Sequence, residues 1–167
     1  MKQKVIRGLL AAGGLLLIWL LPFQRRDVAQ LIPVEALIVS VEDGAVVLTG
    51  KDCQGRGESW TEACEDLLQS GEGIVFLETA EQLILAADAV DLLSEAAESG
   101  LLRPAAMVCV AVGTVPEPEE AASYLASHSS GVTLRQIQAA KVQGKQLQLP
   151  LLIKTEGGLR IYETNHR

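Results

Sequence analysis

The chain of 167 residues is 49% hydrophobic but only 4% aromatic, which suits a membrane segment plus one domain with a core of Leu, Val, Ile and Ala. After Arg26 there are nine basic and 21 acidic residues, a net charge of −12. A surface of that sign repels phosphate backbones and anionic lipid heads, which argues against nucleic-acid binding and leaves any membrane attachment to the N-terminus.

Lys2, Lys4 and Arg7 precede an uncharged run of sixteen residues, Gly8 to Phe23. A bilayer core asks for about 20 apolar residues, and Val5 and Ile6 extend the run if Arg7 snorkels to the interface. Trp19 falls near the far end, where aromatic rings favour the headgroup boundary. A secretory signal has the same basic-then-apolar shape. Neither a small-residue cleavage triplet nor a lipid-accepting cysteine follows Leu21, however, so the pattern favours an uncleaved transmembrane anchor over residues 1–26 and a domain over 27–167. Three positive charges before the run and two after it (Arg25, Arg26) bias the domain toward the extracytoplasmic side of a single-pass topology.

The domain opens with two β-rich runs, Val34 to Val41 and Ala45 to Thr49, around Glu42-Asp43-Gly44, a strong hairpin signal. The stretch from Gly50 to Glu58 reads as a glycine-rich loop. Ser59 is a helix N-cap with Glu62 completing a capping box. The following stripe of Trp60, Ala63, Cys64, Leu67 and Leu68 predicts a helix packed on a core. Ser70-Gly71-Glu72-Gly73 stops that helix, "IVFLE" reads as a buried strand, and Gln82 to Ala87 as a second. Asp88 is placed to cap a helix over Ala89 to Ser99, closed by Gly100. "AAMVCVAVG" is continuous β-type sequence, as a central strand covered on both faces requires.

Pro116 to Glu120 opens an acidic helix start, and a further helix is expected from about Thr133 to Val142. "LQLPLLIK" and "LRIYET" flank a second hairpin, and Pro150 marks the first of these strands as an edge or a bulge. The expected architecture is therefore α/β: a single domain with a mixed sheet flanked by helices, in the order ββαββαβααββ.

Cys53, Cys64 and Cys109 match neither a zinc nor a C-x-x-C pattern. Cys64 and Cys109 read as small core residues, Cys53 as the one most open to solvent, and a Cys53–Cys64 bridge as an option in an oxidising compartment. Catalysis would need acid–base or nucleophilic groups that converge. His166 is next to last in the chain, and His128 lies between two expected helices, so a structural reading is favoured for it. "TGKDCQGRGES" and "GEGIVF" have the wrong spacing or order for a phosphate loop. Glu65-Asp66 and Glu119-Glu120 read as solvated helix faces. The residues thus point to a domain that binds without catalysis, with no metal and no cofactor. Its candidate contact surfaces are the loop carrying Lys51, Asp52, Gln54, Arg56 and Glu58, and a strand edge near Pro150.

Arg25-Arg26-Asp27-Val28-Ala29-Gln30-Leu31, then "GESWTEA", then "VFLETAEQLILAADAVDLL" with Arg103 ahead of "AAMVCVAVG", resemble the N-terminal domain of the Ger(x)C family, the C subunit of spore nutrient germinant receptors. The likeness runs over nearly the whole chain. Two departures stand out: the family's lipobox cysteine is missing, and the chain stops at Arg167 where members of the family continue into further domains. The resemblance implies a non-enzymatic accessory subunit held at a membrane, such as the spore inner membrane, beside integral-membrane receptor subunits. The alternatives are a membrane-anchored scaffold of another complex and, more remotely, a small hydrolase.

Overall fold

The computed structural model describes residues 31–70, 73–128 and 131–163. The expected anchor over residues 1–26 and His166 lie outside them, and among the described residues no helix is long and apolar enough to cross a membrane.

The chain forms an α/β domain with a mixed sheet flanked by helices. Its strands are β1 (Leu31–Pro33), β2 (Ala36–Glu42), β3 (Ala45–Thr49), β4 (Gln54–Gly57), β5 (Ile74–Phe76), β6 (Gln82–Ala86), β7 (Met107–Val112), β8 (Leu151–Thr155) and β9 (Gly158–Tyr162). The helices are α1 (Trp60–Ser70), α2 (Leu93–Glu98), α3 (Pro118–Ser127) and α4 (Leu134–Val142). Seven strands make the main sheet in the order β4-β3-β2-β6-β7-β8-β9. Its centre, β2-β6-β7-β8, is parallel, and antiparallel arms are added at both sides. Hence β6 and β7 read as unbroken apolar runs: both faces are covered and alternation would serve no purpose.

The two faces are covered unequally. Leu37, Val39, Leu83, Leu85 and Val108 pack with Trp60, Ala63 and Leu67 of α1, Ala96 of α2 and Leu134 of α4. Ala36, Ile38, Ile84, Cys109 and Leu152 point the other way, where among the described residues the covering helix is α3, through Ala121 and Leu125.

Local chemistry explains most boundaries. Asp43 and Gly44 both have positive φ (52° and 81°), the signature of a tight two-residue hairpin between β2 and β3. Thr133 caps α4 in a full capping box with Gln136. At α1 the Ser59 hydroxyl accepts from the Glu62 N–H at 3.3 Å. The Glu62 carboxylate reaches one residue further back than a standard box, to the Glu58 N–H at 2.9 Å.

Five expectations change. The Gly50–Glu58 stretch is not all loop, because Gln54–Gly57 is strand β4, paired antiparallel with β3. Its glycines are there for packing: a Cβ on Gly55 would lie 2.3 Å from the Ala63 carbonyl oxygen and 2.4 Å from the Leu67 nitrogen, and one on Gly57 2.5 Å from the Ala63 nitrogen. Only bare backbone lets α1 sit so close. Second, "IVF" is not a buried strand of the main sheet; β5 pairs in parallel with β1 as a separate two-stranded sheet, half of it exposed. Third, Asp88 does not cap an α-helix. Residues Ala87–Leu92 form a 3₁₀ segment entered from Ala86 without a side-chain cap, and α2 starts only at Leu93. Fourth, Pro150 precedes β8, whose place is inside the sheet between β7 and β9, with the Pro150 carbonyl accepting from the Val110 N–H at 2.9 Å. Fifth, Leu68 turns outward from the α1 stripe.

Candidate functional site

The loop expected to bind a partner is divided by the fold. Arg56 lies on β4 with its side chain bent over the hairpin tip, donating to the Glu42 carbonyl at 3.0 Å with the Glu42 and Asp43 carboxylates 4.0 Å away. Its backbone N–H is held by the Asp66 carboxylate at 2.8 Å, and the Glu58 N–H is held by Glu62. The outer edge of β4 is thereby blocked by two carboxylates from α1, so that a partner strand would have to displace them. The strand edge expected near Pro150 is likewise closed, since β8 has neighbours on both sides. Gln54 remains exposed on β4 beside the turn that carries Lys51 and Asp52.

Lys51 and Asp52 do line a pocket of about 380 Å³, together with Glu35, Ala36, Glu119 and Ser123. The Lys51 ammonium is 2.6 Å from the Glu119 carboxylate. That hydrogen bond, then the charge of Glu119, then Asp52 and Glu35, hold Lys51 above its ordinary pKa, so it is a cation at any physiological pH. Three carboxylates thus gather around one lysine at the start of α3. Glu119 is committed to that lysine, and the neighbouring Glu120 to Lys154 at 2.5 Å. The two ion pairs clamp α3 over its face of the sheet.

The cysteines are all free thiols, and all three are buried, including Cys53, which was expected to face solvent. Cys53 tucks back against Gly50, whose N–H donates to the Cys53 carbonyl at 2.8 Å. Burial pushes the Cys64 and Cys109 thiols up to about 12 and Cys53 upward as well, the reverse of what a nucleophile or metal ligand needs. His128 ends α3 with its ring stacked flat on Tyr124, centroids 4.3 Å apart, and Nδ1 near Ser127 Oγ and the Tyr124 carbonyl. Among the described residues no group of His, Cys, Asp or Glu is arranged to hold a metal ion.

A second concavity, wider than the Lys51 pocket, was not anticipated. A groove of about 920 Å³ runs between α2 and α4, walled by Leu93, Ala97, Ile137, Val142, Leu147 and Leu149. Its floor is tied by Gln138 Nε2 donating to the Ala97 carbonyl, and one bank by Lys141, which pairs with Glu98 and donates to Ser94 Oγ at 2.5 Å. Val142 is 89% exposed on its rim. No signal in the sequence marks it: Val142 is i+8 from Leu134, a position the helical period assigns to the buried stripe, as it does Leu68 after Trp60.

Comparison of the chain with protein-family models, with curated proteins and with solved structures finds no match in any of the three.

Proposed function

We propose that this chain is a membrane-tethered, non-enzymatic accessory subunit, with the N-terminal apolar run as its tether and the α2–α4 groove as its partner-binding surface. The occupant of the groove is an apolar segment of an integral-membrane receptor subunit, and the process, as the resemblance to the Ger(x)C domain implies, is spore germination. The observation that supports this reading is the groove itself. It is large enough for a row of partner side chains, its walls are mainly aliphatic, and its basic Lys141 is already paired with Glu98. Burying those aliphatic walls brings apolar area out of water, which favours association, while Asp91 and Lys145, which also line the groove, need water or polar groups of the partner.

The test is an affinity tag placed after Arg167, expression in a spore-former, and recovery of partners from solubilised spore membranes by mass spectrometry. Co-purification of germinant-receptor membrane subunits, lost in a Val142→Asp/Ile137→Ser variant that still folds, is the expected result. Recovery of unrelated partners from vegetative membranes would overturn the germination role.

A further inference from the structure

The small sheet of β1 and β5 has a different character from the groove. In its parallel register Leu31 lies beside Ile74, Ile32 beside Val75 and Pro33 beside Phe76. Val75 and Ile32 therefore point to the core, while Leu31, Pro33, Ile74 and Phe76 share the outer side. Leu31, Ile74 and Phe76 are 39%, 44% and 41% exposed, three of the seven large apolar side chains that the described residues leave open. Apolar residues scattered singly on a surface are ordinary, but four in adjacent register on one face are not.

We infer that this face rests on the lipid interface of the bilayer that holds the N-terminal run, an inference that builds on the tethered reading above. Position in the chain is the first argument. Only seven residues, Gln24 to Gln30, separate Phe23 from Leu31, so β1 cannot lie more than about 27 Å from the end of the apolar run even with the chain fully extended. The element nearest the membrane by covalent connection is also the one that presents uncovered apolar side chains.

Charge is the second argument, and it sets the depth. None of the four outward positions is ionisable, and the charges of Glu35, Lys51, Asp52 and Glu119 in the pocket that Pro33 borders limit the contact to a shallow one that leaves them in water. Glu35 and Glu78, each two residues beyond its strand, are exposed at the margin and would oppose deeper entry. With a net charge of −12 behind it, the domain is repelled by anionic lipid as a whole, so the contact is apolar in origin and only weakly sensitive to salt.

The experiment uses the full chain reconstituted in phosphatidylcholine vesicles, without and with added phosphatidylglycerol, with lipids brominated at a shallow acyl position as quenchers of tryptophan emission. Trp19 in the otherwise native chain reports the tether. In a Trp19→Phe background, whose remaining emission from buried Trp60 checks the fold and is subtracted, Phe76→Trp and, separately, Ile74→Trp report the face, and Val142→Trp on α4 serves as the distant control. The expected result is blue-shifted emission from positions 74 and 76, quenched several-fold more than that from position 142 and still quenched in high salt. Quenching of Trp19 with none at positions 74 and 76 would overturn this inference and leave the tether standing. Absence of quenching at Trp19 would remove the tether and this inference with it. Quenching at 74 and 76 that needs anionic lipid and vanishes in salt would overturn the apolar docking.

Discussion

The β3–β4–α1 arm and the apolar surfaces around β1–β5 and the α2–α4 groove make opposite use of their side chains. In the arm the strand edge is held by carboxylates and carbonyls: Arg56 N–H by Asp66, Glu58 N–H by Glu62, and the Arg56 guanidinium by the hairpin tip. Its glycines let backbone meet backbone with no space for a methyl group. Elsewhere Val142, Ile74 and Phe76 stand in the open with no side chain covering them fully. The contrast teaches that a glycine-rich, charged stretch is not a binding loop by composition alone. Here Gln54–Gly57 is a strand packed on α1, and the exposed large apolar side chains lie elsewhere.

The sharpest way to break that contrast is Gly55→Ala. A Cβ there meets backbone atoms of α1 that cannot rotate away, and the loss should be about 3 kcal/mol, read as a lowered urea midpoint. The same change at Gly44, where open space surrounds the Cβ and only the positive φ is strained, should cost about 1 kcal/mol.

The buried thiols give a second, pH-dependent difference. Unfolded thiols ionise above about 8.5, while burial holds Cys64 and Cys109 protonated up to about 12. The unfolded state thus sheds protons that the native state keeps, so stability should be level below about pH 8.5 and fall as pH climbs from there toward 12. In the native protein at neutral pH all three cysteines should resist iodoacetamide, and all three should label in denaturant.

Smaller effects follow at the surface. Asp66→Ala, which frees the outward N–H of Arg56, should destabilise by about 1 kcal/mol and leave the β4 edge open, detectable as faster hydrogen exchange at Arg56. Ile74→Asn should change stability by no more than about 0.5 kcal/mol, since the side chain is already half in water. Its consequence belongs to binding, as reduced lipid quenching at Phe76→Trp.

Much of the fold was legible because its signals are local. Asp43-Gly44 specifies the first hairpin, Thr133 and Gln136 the start of α4, and the unbroken run around Cys109 a central strand. What escaped reading depends on distant partners. Gln54–Gly57 has no β-type side chains, and it is a strand only because β3 lies on one side and α1 against its glycines. The pairing of Leu31–Pro33 with Ile74–Phe76 spans some forty residues and has no turn to announce it. Pro150 signalled a break correctly but one residue outside β8, so the strand it introduces could enter the interior. Of the candidate loop, Lys51 and Asp52 reached a pocket, Gln54 and Arg56 became strand, and Glu58 became part of a helix cap. The groove could not be read in advance, since its walls come from segments some fifty residues apart.

The most direct measurement is photo-crosslinking in intact spore membranes, with a photoreactive residue placed in turn at Val142 in the groove and at Arg56 on the arm of the full chain. Val142 should crosslink to an integral-membrane receptor subunit and Arg56 to none. Crosslinks from Arg56 to such a subunit, with Val142 silent, would show that the glycine-rich arm is the binding surface after all and would contradict the account.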